Sequence, residues 1–168
     1  MARLQRITTQ FVDIEDRVKI SALSQDNETL VLWLTQRLLI RIVDRCLTFV
    51  DENIGAKGAN LPVSEASSNK QPNLQQISPS EEAVVATLNC RSLLIQEVDL
   101  RYYQDQLSIV FRHNKENQFS LHFDRQQLCQ WLTIIFNIWR QAEWPMTIWP
   151  KTINFFKTSK TKFKMSLH

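Results

Sequence analysis

Hydrophobic and polar positions along this chain follow the same order twice. Phe11–Leu47 and Leu100–Phe136 align without a gap, Leu100 standing 89 positions after Phe11. Apolar residues meet apolar residues: Phe11 and Leu100, Ile14 and Tyr103, Val18 and Leu107, Ile20 and Ile109, Ala22 and Phe111. The register continues through Leu30 and Phe119, Leu32 and Leu121, Leu34 and Phe123, Leu39 and Leu128, then Ile42 and Trp131. Polar Ser24–Thr29 falls on His113–Gln118. The identical pairs are few (Asp16/Asp105, Ile20/Ile109, Leu32/Leu121, Leu39/Leu128), so the correspondence is one of residue class, whether or not the halves share ancestry.

Within each block the period changes once. Val18, Ile20 and Ala22 alternate with Arg17, Lys19 and Ser21, the period-2 pattern of a half-buried strand. Leu107, Ile109 and Phe111 alternate with Ser108 and Arg112, Val110 being the exception. The polar runs Gln25-Asp26-Asn27-Glu28 and Asn114-Lys115-Glu116-Asn117 predict hairpin turns, since Asn and Asp tolerate left-handed backbone. Leu30–Leu34 and Phe119–Phe123 read as the return strands, with a further strand before each hairpin near Leu4–Phe11 and Leu93–Tyr102. Thr35 and Asp124 are good N-caps, and the period after each becomes helical. One stripe is Leu38, Leu39, Ile42, Val43, Cys46, Leu47 and Val50; the other is Leu128, Trp131, Leu132, Ile135, Phe136 and Trp139. Ser80-Glu81-Glu82 before Ala83–Ala86 suits the start of a short helix, a strand being the alternative.

Cys129, Ile134 and Ile138 widen the second stripe beyond one face. A helix apolar nearly all round is buried or meets a partner. The two helices can pack on each other and on the sheet, or Trp131, Ile134, Ile138 and Trp139 can form a homodimer or protein-partner interface.

Glycine and proline stay out of both blocks. Gly55, Gly58, Pro62, Pro72 and Pro79 lie between them, Pro145 and Pro150 after them. The stretch 53–80 is rich in Ser, Asn, Gln and Pro and poor in large apolar residues, so it reads as a flexible linker. The fold class expected is α+β: two antiparallel strand-strand-strand-helix units forming one pseudo-symmetric domain. Residues 1–52 are the first unit, 53–80 the linker, 81–143 the second unit and 144–168 a basic, mobile tail.

At 168 residues, 43% hydrophobic and 22% charged, the chain has the size and composition of one globular domain. No apolar run reaches the roughly 18 residues that cross a bilayer. Basic residues at the N-terminus are followed by no apolar core of a secretory signal. Cys46, Cys90 and Cys129 are odd in number and far apart, as reduced thiols of a cytoplasmic protein are. Charge is unevenly placed. Five of the 20 basic residues lie in 144–168 with no acidic residue, leaving 15 against 17 acidic groups in 1–143, a net of −2. The tail interleaves lysine with Phe155, Phe156 and Phe163, a pattern suited to an anionic lipid surface or nucleic acid.

Catalytic chemistry finds little to work with. There is no glycine-rich phosphate loop, no Cys-x-x-Cys and no His-x-x-x-His. His113 falls in a predicted turn and His122 at an outward strand position equivalent to Trp33; both read as surface residues. Cys46 and Cys129 fall on helical apolar faces and read as small core residues. Asp13/Glu15 and Glu81/Glu82 read as charged surface. No catalytic residue, cofactor or metal site is expected, and the chain reads as non-enzymatic.

Repeated antiparallel strands closed by a helix resemble, in topology, the PUR-repeat and Whirly proteins, which bind single-stranded nucleic acid on sheet surfaces. The glycine- or lysine-bearing motifs of those families are absent. The resemblance implies a contact surface at the outward strand positions Arg17, Lys19, Arg101, Tyr103, Arg112 and His122, with Asp13, Glu15 and Asp99 nearby opposing it. Two function classes follow. One is a small cytoplasmic interaction protein that self-associates or binds a protein through its apolar helix face. The other is a single-stranded nucleic-acid-binding protein using outward sheet faces and the basic tail.

Overall fold

The computed structural model describes residues 1–55, 83–85, 90–103 and 106–150, the side chains of 52–55 excepted. Seven strands and two α-helices follow the order β1 (Ala2–Val12), β2 (Arg17–Ser24), β3 (Thr29–Thr35), α1 (Gln36–Gly55), β4 (Arg91–Leu94), β5 (Glu97–Tyr103), β6 (Gln106–Arg112), β7 (Gln118–Asp124) and α2 (Arg125–Gln141). Short 3-10 turns at Asp13–Glu15 and Met146–Ile148 follow β1 and α2.

Both hairpins form where the alternation places them. β2 pairs β3 with Ile20 opposite Leu32, and β6 pairs β7 with Ile109 opposite Leu121. Asn27, at φ 60°, takes the left-handed position in the first turn. In the second, Asn114 Oδ1 accepts from the backbone N–H of Glu116 and Asn117. Each helix starts at its expected cap: the Leu38 N–H donates to Thr35 Oγ1, while Asp124 and Gln127 form a reciprocal capping box.

The sheet is mixed, with order β4-β3-β2-β1-β7-β6-β5. Pairing is antiparallel within each half, and the halves join by parallel pairing at two junctions. Ala2–Leu4 of β1 pairs in parallel with Phe119–Leu121 of β7, and Arg91–Leu94 of β4 pairs in parallel with Leu30–Trp33 of β3. Each junction exists because one strand path changes neighbours. β1 leaves β7 for β2 through a register shift between Leu4 and Arg6, the irregularity that lets a strand bend. β4 leaves β3 and becomes β5 on β6 across only two residues. There the Ile95 N–H donates to the Trp33 carbonyl and the Gln96 N–H to that of Arg112. β4 and β5 are the two ends of the strand order, so the sheet curls until its ends are one continuous segment.

The gapless alignment is corrected by two residues between β5 and β6. Phe11 opposes Val18, and the residue opposing Leu107 is Tyr102, not Leu100. The four residues between β1 and β2 become two between β5 and β6, which restores the register. Ile14 is accordingly not a strand residue; it lies in the 3-10 turn and is 92% exposed.

One core holds the fold together. Val18, Ile20, Leu32, Leu34, Ile109, Phe111 and Leu121 of the sheet bury against Leu39, Ile42, Val43 and Cys46 of α1 and against Leu128, Trp131, Leu132 and Ile135 of α2. Trp144 and Trp149, within the stretch expected as tail, belong to this core. Trp139 meets both edge-on at 5.0 and 5.8 Å between ring centroids, and Trp144 also meets Phe11 at 5.6 Å. α1 runs to Gly55, three residues into the stretch expected as linker. Ala83–Val85 is irregular. Residues 56–82 and 151–168, which hold most of the expected linker and tail, lie outside the described residues.

Candidate functional site

Strand alternation divides the sheet into a face that packs the helices and a far face. Residues paired across strands share a face, so register places every side chain. All six positions singled out from the sequence, Arg17, Lys19, Arg101, Tyr103, Arg112 and His122, fall on the far face. The bulge in β1 brings Arg3 and Arg6 to it as well: Arg3 pairs with Ser120, and Arg6 with Leu23.

The floor of the far face is made of small side chains. Ser21, Val31, Ser108, Val110 and Ser120 are all buried, and the two valines stand apart from the main apolar cluster. Longer groups rise around them. Lys19 lies directly opposite Trp33, while Ser108 is flanked by Arg101 on one side and His122 on the other. The Trp33 indole is fixed edgewise by donation from Nε1 to Ser92 Oγ at 2.8 Å. Ala83–Val85 touches the same sheet where the Val84 N–H donates to Thr8 Oγ1 at 2.8 Å.

The charges differ in how far they are committed. Arg112 reaches both Asp99 and Glu97, so it is neutralised where it stands. Arg17 lies 3.9 Å from Glu15. Arg3, Arg6, Lys19 and Arg101 make no ion pair among the described residues. His122 has its pKa lowered, first by burial and then by the Arg3 guanidinium nearby. The Arg3 contribution shows that positive charge on this face reaches the imidazole. Sequence reasoning missed Arg3, Arg6 and Trp33. Trp33 was visible as the counterpart of His122; the arginines depend on a bulge that leaves no mark in the residue pattern.

The helix residues named as a candidate interface are placed differently. Trp131, Ile138 and Trp139 are buried in the core, and of the four only Ile134, 45% exposed, reaches the surface. Trp131 is further tied down by donation to Thr9 Oγ1 and by stacking on Phe123. The breadth of the apolar stripe has an internal cause, since α2 is covered on several sides by sheet, by α1 and by Trp144 and Trp149.

Nucleophiles are quiet. Burial pushes the Cys46 thiol up to about 12 and raises that of Cys129 as well. His113, half-buried in its turn, has Nδ1 2.7 Å from the Leu94 carbonyl; that oxygen can only accept, so Nδ1 carries the proton. Among the described residues no group of His, Cys, Asp and Glu could hold a metal ion. No described helix is long and apolar enough to cross a membrane. No family model matches the chain, and comparison with curated proteins gives no match.

Proposed function

We propose that this chain is a non-enzymatic binding protein that takes single-stranded nucleic acid along the far face of its sheet. The observation that carries the reading is the placement of Arg3, Arg6 and Lys19, none with an acidic partner among the described residues, on the same face as Trp33, His122 and Tyr103. A single strand presents phosphates every few ångströms and flat bases between them. Cations contact the phosphates without regard to sequence, and aromatic rings stack on bases at about 1–3 kcal/mol each. Duplex is the poorer ligand, because its bases are already stacked on one another.

The same proposal treats the two halves as one pattern used twice. In its favour, Leu30 pairs with Arg91 and Ala2 with Phe119; Leu30 and Phe119 stand 89 positions apart, as do Ala2 and Arg91. Ile20–Leu32 and Ile109–Leu121 are related by the same offset. Lys19 and Trp33 then correspond to Ser108 and His122, so the two halves of the far face are alike in shape and unlike in chemistry. The strongest contacts belong on the first.

Anisotropy of a labelled single-stranded oligonucleotide tests this. Lys19→Ala, Arg6→Ala and Arg3→Ala are each expected to weaken binding severalfold, and Trp33→Ala by roughly tenfold or more. Equal affinity of all four variants and the parent would defeat the proposal.

A further inference from the structure

β5 ends the strand order, so one of its edges has no strand beside it among the described residues. Val98, Asp99, Leu100, Arg101 and Tyr102, with Arg45 of α1, line an open groove of about 410 Å³, and the Tyr102 ring stacks on Phe49 of α1. An open strand edge is a template for another strand, and natural proteins normally blunt such edges. Here the seven residues Glu-Val-Asp-Leu-Arg-Tyr-Tyr carry no proline and no lysine, and they pair with β6 in unbroken register.

The sequence of β5 is complementary to itself. If two copies run antiparallel about a two-fold axis at Leu100, Leu100 faces Leu100 of the other copy. Asp99 then faces Arg101 twice, Val98 faces Tyr102 twice and Glu97 faces Tyr103 twice. All seven residues pair. The opposite charges lie together on the far face, the aliphatic and aromatic side chains lie together on the helix-packed face, and no like charges meet. Moving the axis to Asp99 or Arg101 sets that residue against its own copy, charge against like charge. A one-residue slip on one side turns the apolar set toward the polar one. Charge and apolar pattern therefore select one register, which is what an isologous contact needs.

We infer that the chain forms a homodimer by antiparallel pairing of β5 with β5 of a second copy, centred on Leu100. The two sheets become continuous and the two far faces lie side by side. The occupant is a second copy, since the complementarity is between β5 and itself.

Light scattering and sedimentation of the full chain test this at tens of micromolar. The parent is expected at twice the chain mass. Arg101→Glu sets a carboxylate against Asp99 of the other copy, and Asp99→Arg sets two guanidinium groups together. Each variant alone is expected to be monomeric, or at least tenfold weaker in dimerisation. Mixed, they restore two opposite-charge pairs, and a dimer is expected to return. Circular dichroism checks that each variant keeps its fold, and Glu97 remains to hold Arg112 in the second. A monomeric parent, a dimer indifferent to both changes, or a mixture that stays monomeric overturns the inference. A parent that pairs only with a foreign strand overturns it too.

Discussion

Asp16 holds two jobs in one side chain. Its backbone is left-handed at φ 46°, closing the 3-10 turn after β1, and its Oδ1 accepts from Trp144 Nε1 at 3.1 Å. Asp and Asn tolerate that backbone better than alanine does. Asp16→Asn is therefore expected to cost little, whereas Asp16→Ala should lower urea-measured stability by about 1–2 kcal/mol. Trp144→Ala, which also removes the edge-on contacts with Phe11 and Trp139, should cost about 3–5 kcal/mol in the same measurement. Cys46, with its thiol pushed up to about 12 by burial, should resist a thiol reagent until the chain unfolds. His122 gives a pH test with a definite sign. Its folded pKa lies below that of the free side chain, so the unfolded chain binds the proton more readily. The part of stability due to neutral His122 is complete above the ordinary value near 6.5 and diminishes as pH falls from there toward the folded value. His122→Gln should remove that part of the acid sensitivity in denaturant titrations at stepped pH. Neither of Asp16's roles was legible beforehand, because the tryptophan that needs it lies 128 positions away.

Period and capping residues marked most elements well. Val18–Ala22, Leu30–Leu34, Leu107–Phe111 and Phe119–Phe123 became strands, and Thr35 and Asp124 became caps, because those signals act between near neighbours. The capping box adds Gln127, whose side chain accepts from the Asp124 N–H at 3.0 Å. Asp124→Ala should accordingly cost about 1 kcal/mol and fray the start of α2 in amide exchange. What stayed hidden was where a strand changes partners. The bulge near Leu4 and the break at Ile95–Gln96 both lie inside runs that read as single strands, and it is these that turn two hairpins into one curled sheet. The burial of Trp144 and Trp149 was hidden too. Lysines further along gave that region the look of a solvated tail, although its tryptophans complete the core.

At the scale of the molecule, the halves interlock. β1 reaches across to β7, and β4 reaches back to β3, so each half lends a strand to the other. Neither half is expected to fold alone. Residues 1–55 and 83–168 expressed separately should lack cooperative unfolding, while coexpression should recover a complex with one transition in calorimetry. The far face follows from this exchange. Its six anticipated residues share a surface because strand alternation puts them there, and Arg3 and Arg6 join through the bend in β1. The overall charge of the chain conceals the surface. Residues 1–143 are net negative, while Arg3, Arg6 and Lys19 share the far face without acidic partners among the described residues. The most direct measurement is the salt dependence of single-stranded oligonucleotide binding. It is run with the parent, with a chain ending at Pro150, and with Arg3, Arg6 and Lys19 all changed to alanine. If the far face holds the strand, shortening the chain leaves a steep slope, and removing the three cations reduces the slope of log K against log salt by about 2. Binding that vanishes with residues 151–168, or a slope unchanged by the triple substitution, would place the ligand elsewhere and contradict the reading.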